Sequence, residues 1–377
     1  MTHSPTQPMN SDDLREELAR RTLQLCAIPS ETCFEERIAD HVESICVELA
    51  GEAAVTRVGN SIVCDPASGS DWKGLSTVAL VGHLDTVRCA EHQRTQILDG
   101  RVYGCGSSDM KSGVATMLAL LQRWQSLQSA RPVWIFYDQE EGPHDLNGLE
   151  GVLASGVVPP LDFAIVLEPT DRAVQMGCMG TMHARLTIRG RRSHSARPWQ
   201  GVNAIYRAPA LLERFAGLER REVRFGDLIF YEVMVVTRAW TENSANVVPD
   251  KLMLNVNVRF APGRTAEDAL LDLEALVGDL AEIEVLDAAP SGAVYLDHPL
   301  IEPWRVRREL KVEPKQAWTD VARFTARGIP ALNFGPGETA QAHQADEWCS
   351  IDSLEYAYRH LFDYFTHPTS SLGPRAI

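Results

Sequence analysis

A chain of 377 residues, 45% hydrophobic and 23% charged, can bury a large core but is longer than one compact domain usually holds, so two domains are expected. A net charge of −15 excludes nucleic acid and anionic membrane as main partners, because both are polyanions that call for a basic patch. No run of about eighteen apolar residues is present and Met1 to Asp13 is polar, so neither a membrane span nor a signal peptide is expected and the protein reads as cytoplasmic.

Residues 1 to about 11 read as disordered, and Ser11-Asp12-Asp13 opens a helix carrying Leu14, Leu18 and Leu25 that ends near Pro29. Phe34, Ile38, Val42, Ile45 and Leu49 recur at helical spacing, which predicts a second helix from about Cys33 to Leu49. Short strands are expected at Ala54 to Val58 and Ser61 to Cys64, followed by a turn at Ser68-Gly69-Ser70. Thr77 to Val81 is a buried strand that runs through Gly82 into His83, Leu84 and Asp85. His83 is a candidate metal ligand there, and Asp85, two residues on, points the same way and would orient the imidazole. A hydrogen-bonded His–Asp pair without a metal fits the same pattern.

Leu98 to Gly104 reads as a turn and an extended piece, and Gly106 to Gly113 as a Gly-rich loop opening a helix through Gln128 on Val114, Met117, Leu118, Leu121 and Trp124. Asp109 at that N-terminus is either a cap or a rigidly held bridging carboxylate. A strand from Pro132 to Tyr137 delivers Glu140 and Glu141, whose side chains point to different sides, and another from Leu161 to Leu167 delivers Glu168. His83, Glu141 and Glu168 thus fall at strand carboxyl ends, where open α/β sheets place ligands.

From Cys178 the pattern changes. Strands at Met182 to Gly190, Leu228 to Trp240, Leu252 to Phe260 and Ile283 to Leu286, with helices at Gly201 to Gly217 and Thr265 to Gly278, predict an antiparallel sheet with helices on one face. The expected fold is α/β, a largely parallel-sheet catalytic domain (1–177 and 290–377) with an α+β domain inserted at 178–289. The last part holds a helix capped by Thr319-Asp320, a strand at Ile329 to Phe334, a loop bearing His343, and an amphipathic helix from Ile351 to Phe365. The eight cysteines are scattered singly and read as free thiols, mostly buried, with Cys105 and Cys178 as small core fillers.

Together His83, Asp109, Glu141, Glu168 and His343 are two imidazoles and three carboxylates, which suit zinc or a similar divalent ion and are one ligand too many for a single tetrahedral site. The motifs VGHLDTV, YGCGSSDMKSGVA, DQEEG, LEPT and GPGETAQAH resemble, in order, those of the co-catalytic metallohydrolases that include acetylornithine deacetylase, succinyl-diaminopimelate desuccinylase and glutamate carboxypeptidases. The resemblance implies two Zn2+ per subunit, with Co2+ or Mn2+ as alternatives. It places one ion on His83 and Glu168, the other on Glu141 and His343, with Asp109 between them and Asp85 behind His83. It further implies that Glu140 is the general base, that His194 of a homodimer's inserted domain stabilises the oxyanion in the partner's site, and that Asn246 and Arg259 contact substrate. A surface His194 and a salt-bridged Arg259 are the plainer readings of those residues taken alone. The phrases GRRSHSARPWQGVNAI and SANVVPDKLMLNVNVRFAP are most similar to the family's desuccinylases, implying a small N-acyl amino-acid substrate, N-succinyl-LL-2,6-diaminopimelate, in lysine and diaminopimelate biosynthesis. Alternatives are an acetylornithine deacetylase, another N-acyl-amino-acid hydrolase or carboxypeptidase, and a non-catalytic metal-binding module.

Overall fold

The computed structural model describes residues 10–66, 72, 74–90 and 93–367. The polar stretch 1–9 and the turn expected at Ser68-Gly69-Ser70 lie outside the described residues. The chain forms two compact units, one from the residues up to Met176, Tyr295–Glu313 and those from Arg323 on, the other from Gly177–Val294 and Pro314–Ala322.

In the first unit Thr77–His83 is buried along its whole length, which its near-continuous apolar sequence requires. It pairs in parallel with Arg131–Tyr137 on one side and Phe163–Pro169 on the other, and the latter pairs in parallel with Ala331–Gly335. Antiparallel strands extend this parallel centre, among them the hairpin Val55–Val58 and Ser61–Cys64 at one edge and Val174–Met176 beside Ala331–Gly335. Each fully buried Val, Leu, Ile or Phe here contributes about 1.5–3 kcal/mol relative to an exposed one. Because the central strands run in parallel, His83, the segment after Tyr137, Glu168 and Gly335 emerge at one edge of the sheet.

The helix Lys111–Leu121 is buried on every side, and apart from Lys111, Ser112 and Thr116 it carries only apolar residues and glycine. Gly113 lets it lie against a strand, since a Cβ there would sit 2.5 Å from the Leu167 carbonyl oxygen. It packs against Ser11–Cys26 and Ile351–Thr366. The first of these is capped by Asn10, whose side chain accepts the Asp13 N–H, and the second by Ser350, which accepts the Ser353 N–H.

Several expectations need correction. The second helix starts at Glu36, not Cys33, because the Glu35 carboxylate accepts the Cys33 N–H and Cys33 turns left-handed at φ 75°, leaving Phe34 73% exposed. The helix after Asp109 ends at Leu121, and Trp124 stands in a separate 3-10 turn, Trp124–Ser126. Within the segment 201–217 the α-helix runs only from Pro209 to Ala216, where proline occupies the first turn, after a short 3-10 turn at Ile205–Arg207. Cys89 and Cys105 form a disulfide across a Cα separation of 5.7 Å, so they are not free thiols; their pairing depends on two loops meeting, which single scattered cysteines do not announce. Cys26, Cys46, Cys64, Cys178 and Cys349 are free and buried, whereas Cys33 is free and exposed.

The second unit is a five-stranded antiparallel sheet in the order Arg221–Phe225, Leu228–Trp240, Lys251–Phe260, Gly180–Arg189, Glu282–Ala289. Leu252, Leu254, Val256, Val258 and Phe260 share a core with Leu211 and Phe215 of one helix and Ala269, Leu273 and Val277 of the other. A reciprocal capping box between Thr265 and Asp268 starts Ala266–Val277. Arg221–Phe225, exposed at the sheet edge and short of apolar residues, escapes a reading based on periodicity.

Candidate metal centre

His83, the last residue of its strand, is completely buried. Its Nδ1 lies 3.0 Å from the backbone carbonyl of Asp85 and 3.5 Å from Asp85 Oδ1. A carbonyl only accepts, so Nδ1 carries a proton, which leaves Nε2, facing Asp109 Oδ1 at 3.3 Å and Glu168 Oε1 at 3.8 Å, as the nitrogen that could bind a metal. The nearer contact from Asp85 to the imidazole is therefore its backbone, not the carboxylate expected from sequence. That carboxylate instead accepts the N–H groups of Glu140 and Glu141, at 2.9 and 3.0 Å, and the Thr32 hydroxyl at 2.9 Å. Gln139, at φ 59°, reverses the chain after Asp138 so that these two N–H groups face Asp85.

Asp109 precedes the helix Lys111–Leu121, and the side chain of the N-cap residue, Met110, makes no capping hydrogen bond. Its second oxygen, Oδ2, lies 3.6 Å from His343 Nε2, which in turn lies 2.9 Å from Glu141 Oε1. One carboxylate thus faces two imidazoles, one through each oxygen. Ligand atoms of His83, Asp109 and Glu141 all lie within 4.8 Å of one another.

The electrostatics favour a cation. Burial pulls the His83 imidazole down, but Asp109 and Asp85 outweigh it and hold it well above its ordinary value. Glu141 pushes His343 up to about 9. The converging carboxylate oxygens repel one another unless positive charge lies among them, here carried by protons on the imidazoles; a divalent metal would replace those protons with a cation of its own, so this donor set fits one. Soft thiolates are not part of it, and nitrogen with carboxylate oxygen suits zinc, cobalt or manganese.

Sequence reading passed over Glu347, a buried carboxylate that accepts N–H groups from Gly106, Ser108 and Asp109 and that burial pushes up to about 7. It also passed over Thr32 and over Lys111, buried with Nζ donating to the Ile28 carbonyl. Single polar side chains carry no periodic signal, and only their partners mark them.

His194, Asn246 and Arg259 belong to the second unit. His194 pairs with Val247 across a short ladder and is exposed; its Nδ1 accepts the Ala196 N–H at 3.1 Å, which leaves Nε2–H as a donor. The Asn246 carbonyl accepts the Ser195 N–H. Arg259 donates through Nε to Asn257 Oδ1 at 3.0 Å, and burial holds its guanidinium below the ordinary value. Two further arginines of this unit, Arg189 and Arg192, are paired with Glu282 and Asp250.

The sequence pattern of peptidase family M20/M25/M40 matches residues 79–367. A succinyl-diaminopimelate desuccinylase of Corynebacterium glutamicum is 35% identical over 88% of this chain and 92% of its own length. An acetylornithine deacetylase of Proteus mirabilis is 27% identical over 88% and 92%. Among solved structures, a dinuclear metal-binding M20 peptidase of Bacillus subtilis, YXEP, superposes with a TM-score of 0.66 at 16% identity over 94% of this chain and 98% of the other, a likeness of fold.

Proposed function

The chain belongs to peptidase family M20/M25/M40, and from that premise we propose that it is a metal-dependent amide hydrolase removing succinate from N-succinyl-LL-2,6-diaminopimelate. The observation that carries the substrate is the 35% identity with a desuccinylase along nearly the full length of both chains. Two divalent ions, zinc with cobalt or manganese as alternatives, would be held by His83 with Glu168 and by Glu141 with His343, with Asp109 available to both. The opposed facing of the two Asp109 oxygens supports this division. When bound, the ions supply Lewis acidity that polarises the amide carbonyl and acidifies water.

Glu140 takes a proton from water as the water oxygen adds to the succinyl carbonyl carbon, then gives it to the departing amine as the C–N bond breaks. The products are succinate and the free diamino acid. Its N–H bond to Asp85 fixes the backbone from which this base works. In the second unit, the Nε2–H of His194 is the donor for the developing oxyanion in a homodimer whose subunits complete each other's sites. Arg259, its fork aligned by Asn257, and Asn246 contact the substrate's carboxylate and amide groups. The setting is the cytoplasm.

The test is hydrolysis of N-succinyl-LL-2,6-diaminopimelate beside N-acetylornithine, before chelation, after it, and after zinc is restored. Preference for the succinylated compound, abolished by chelator and recovered with zinc, is expected. Preference for the acetylated one supports the second reading, an acetylornithine deacetylase, which the 27% relative favours. Turnover of neither overturns both.

A further inference from the structure

The loop that carries His343 is fastened to the loop that carries Asp109 at two places. At its start, Ser108 Oγ donates to the Glu338 carbonyl and accepts the Glu338 N–H, both at 2.9 Å. At its end, Glu347 Oε2 accepts the Gly106 N–H at 2.7 Å, while Oε1 accepts those of Ser108 and Asp109 at 2.7 and 2.9 Å. The Glu347 carbonyl adds a fourth bond, from the Gly104 N–H at 3.2 Å. Glu347 is 3% exposed, so water does not compete for these donors. Immediately afterwards Trp348–Ser350 pairs with Arg101–Tyr103, so the two loops continue into one small sheet.

We infer that Glu347 is a positioning residue that sets the separation of the Asp109 and His343 side chains by tying their two loops together. This rests on the reading of those two residues as metal ligands. A carboxylate is suited to the task because both oxygens accept, and three N–H groups converging on it leave the peptide at Asp109 little freedom to rotate. A carboxamide at the same position offers one acceptor oxygen and turns an N–H2 group toward a backbone donor. Glu347→Gln therefore loosens Asp109 relative to His343 without touching either ligand.

The experiment strips the full chain of metal and titrates it with Co2+, reading the visible absorption of the bound ion, for the parent, Glu347→Gln, Glu347→Asp, Asp109→Ala and the Glu347→Gln/Asp109→Ala double variant. Glu347→Gln is expected to weaken Co2+ binding about 10–100-fold and alter the spectrum, as removal of groups that orient ligands does. In the Asp109→Ala background the same change should add little, because the ligand it acts through is gone. Parent affinity and spectrum in Glu347→Gln, or full additivity in the double variant, overturns the inference while leaving the function reading intact. If Glu347→Gln does not fold, Glu347→Asp carries the comparison, since its shorter side chain cannot span all three N–H groups, and parent binding there is equally fatal. A parent that takes up no Co2+ overturns the metal-centre reading and this inference with it.

Discussion

Glu140 donates its backbone N–H to Asp85 Oδ1 at 2.9 Å, so a buried carboxylate beside His83 also holds the peptide of the proposed base. Glu141 and Thr32 bind the other oxygen. Burial disfavours the Asp85 anion, but His83 and these N–H groups outweigh it and hold its carboxyl below the ordinary range. One residue therefore connects the imidazole at the end of one strand to two carboxylates at the end of its parallel neighbour.

Asp85→Asn leaves a single acceptor oxygen for three donors. The expected result is a 10–100-fold loss in both kcat/KM and metal affinity with the far-ultraviolet circular dichroism spectrum preserved. Steady-state kinetics and metal analysis on one preparation check this, and full activity would remove Asp85 from the supporting network.

Glu140→Gln keeps the backbone N–H and therefore the bond to Asp85, while removing the side chain's capacity to take a proton. Metal content should match the parent and kcat should fall by about 10²–10⁴. Unchanged turnover would transfer the proton-moving role to another group.

The proposed homodimer with shared sites predicts complementation. Glu140→Gln and His194→Ala chains, each nearly inactive alone, should recover activity when co-expressed and co-purified, because a mixed dimer contains one site with both groups intact. Persistent inactivity of the mixed preparation would place His194 outside the partner's site or outside catalysis.

Acid stability offers a test away from the metal centre. Burial raises the Glu355 carboxyl, but bonds from the Ser11 hydroxyl and from Arg15 and Arg359 outweigh it and bring the group down to about 2. The folded-state value lies below the unfolded one of about 4.3, so the unfolded chain binds more protons between them. Its contribution is present in full above pH of about 4.3 and disappears as pH falls toward the folded value. Chemical denaturation should show Glu355→Gln less stable than the parent at neutral pH, with the gap closing over that window; a gap independent of pH would mean the carboxylate's charge is not what stabilises the pairing of the first and last helices.

Much of the fold is legible without coordinates. Thr77–His83, Leu228–Trp240 and Lys251–Phe260 lie where apolar runs or strict alternation predict strands, since the pleat repeats every two residues. The helix Ile351–Thr366 follows from its amphipathic spacing in the same way. Phe34 misleads because an apolar residue four positions ahead of Ile38 looks periodic, whereas Glu35 capturing the Cys33 N–H decides where the helix begins.

Sequence by itself determined the strand ends that deliver His83, Glu140, Glu141 and Glu168, because hydrophobic period and chain order are local properties. Tertiary structure alone decided that Asp85 Oδ1 and Oδ2 would hold the 140–141 backbone, that Cys89 would meet Cys105, and that Glu347 would clamp the Asp109 loop from 238 positions away. Those bonds join residues whose separation along the chain leaves no periodic trace, and they form only where folding excludes water and leaves each donor one acceptor within reach.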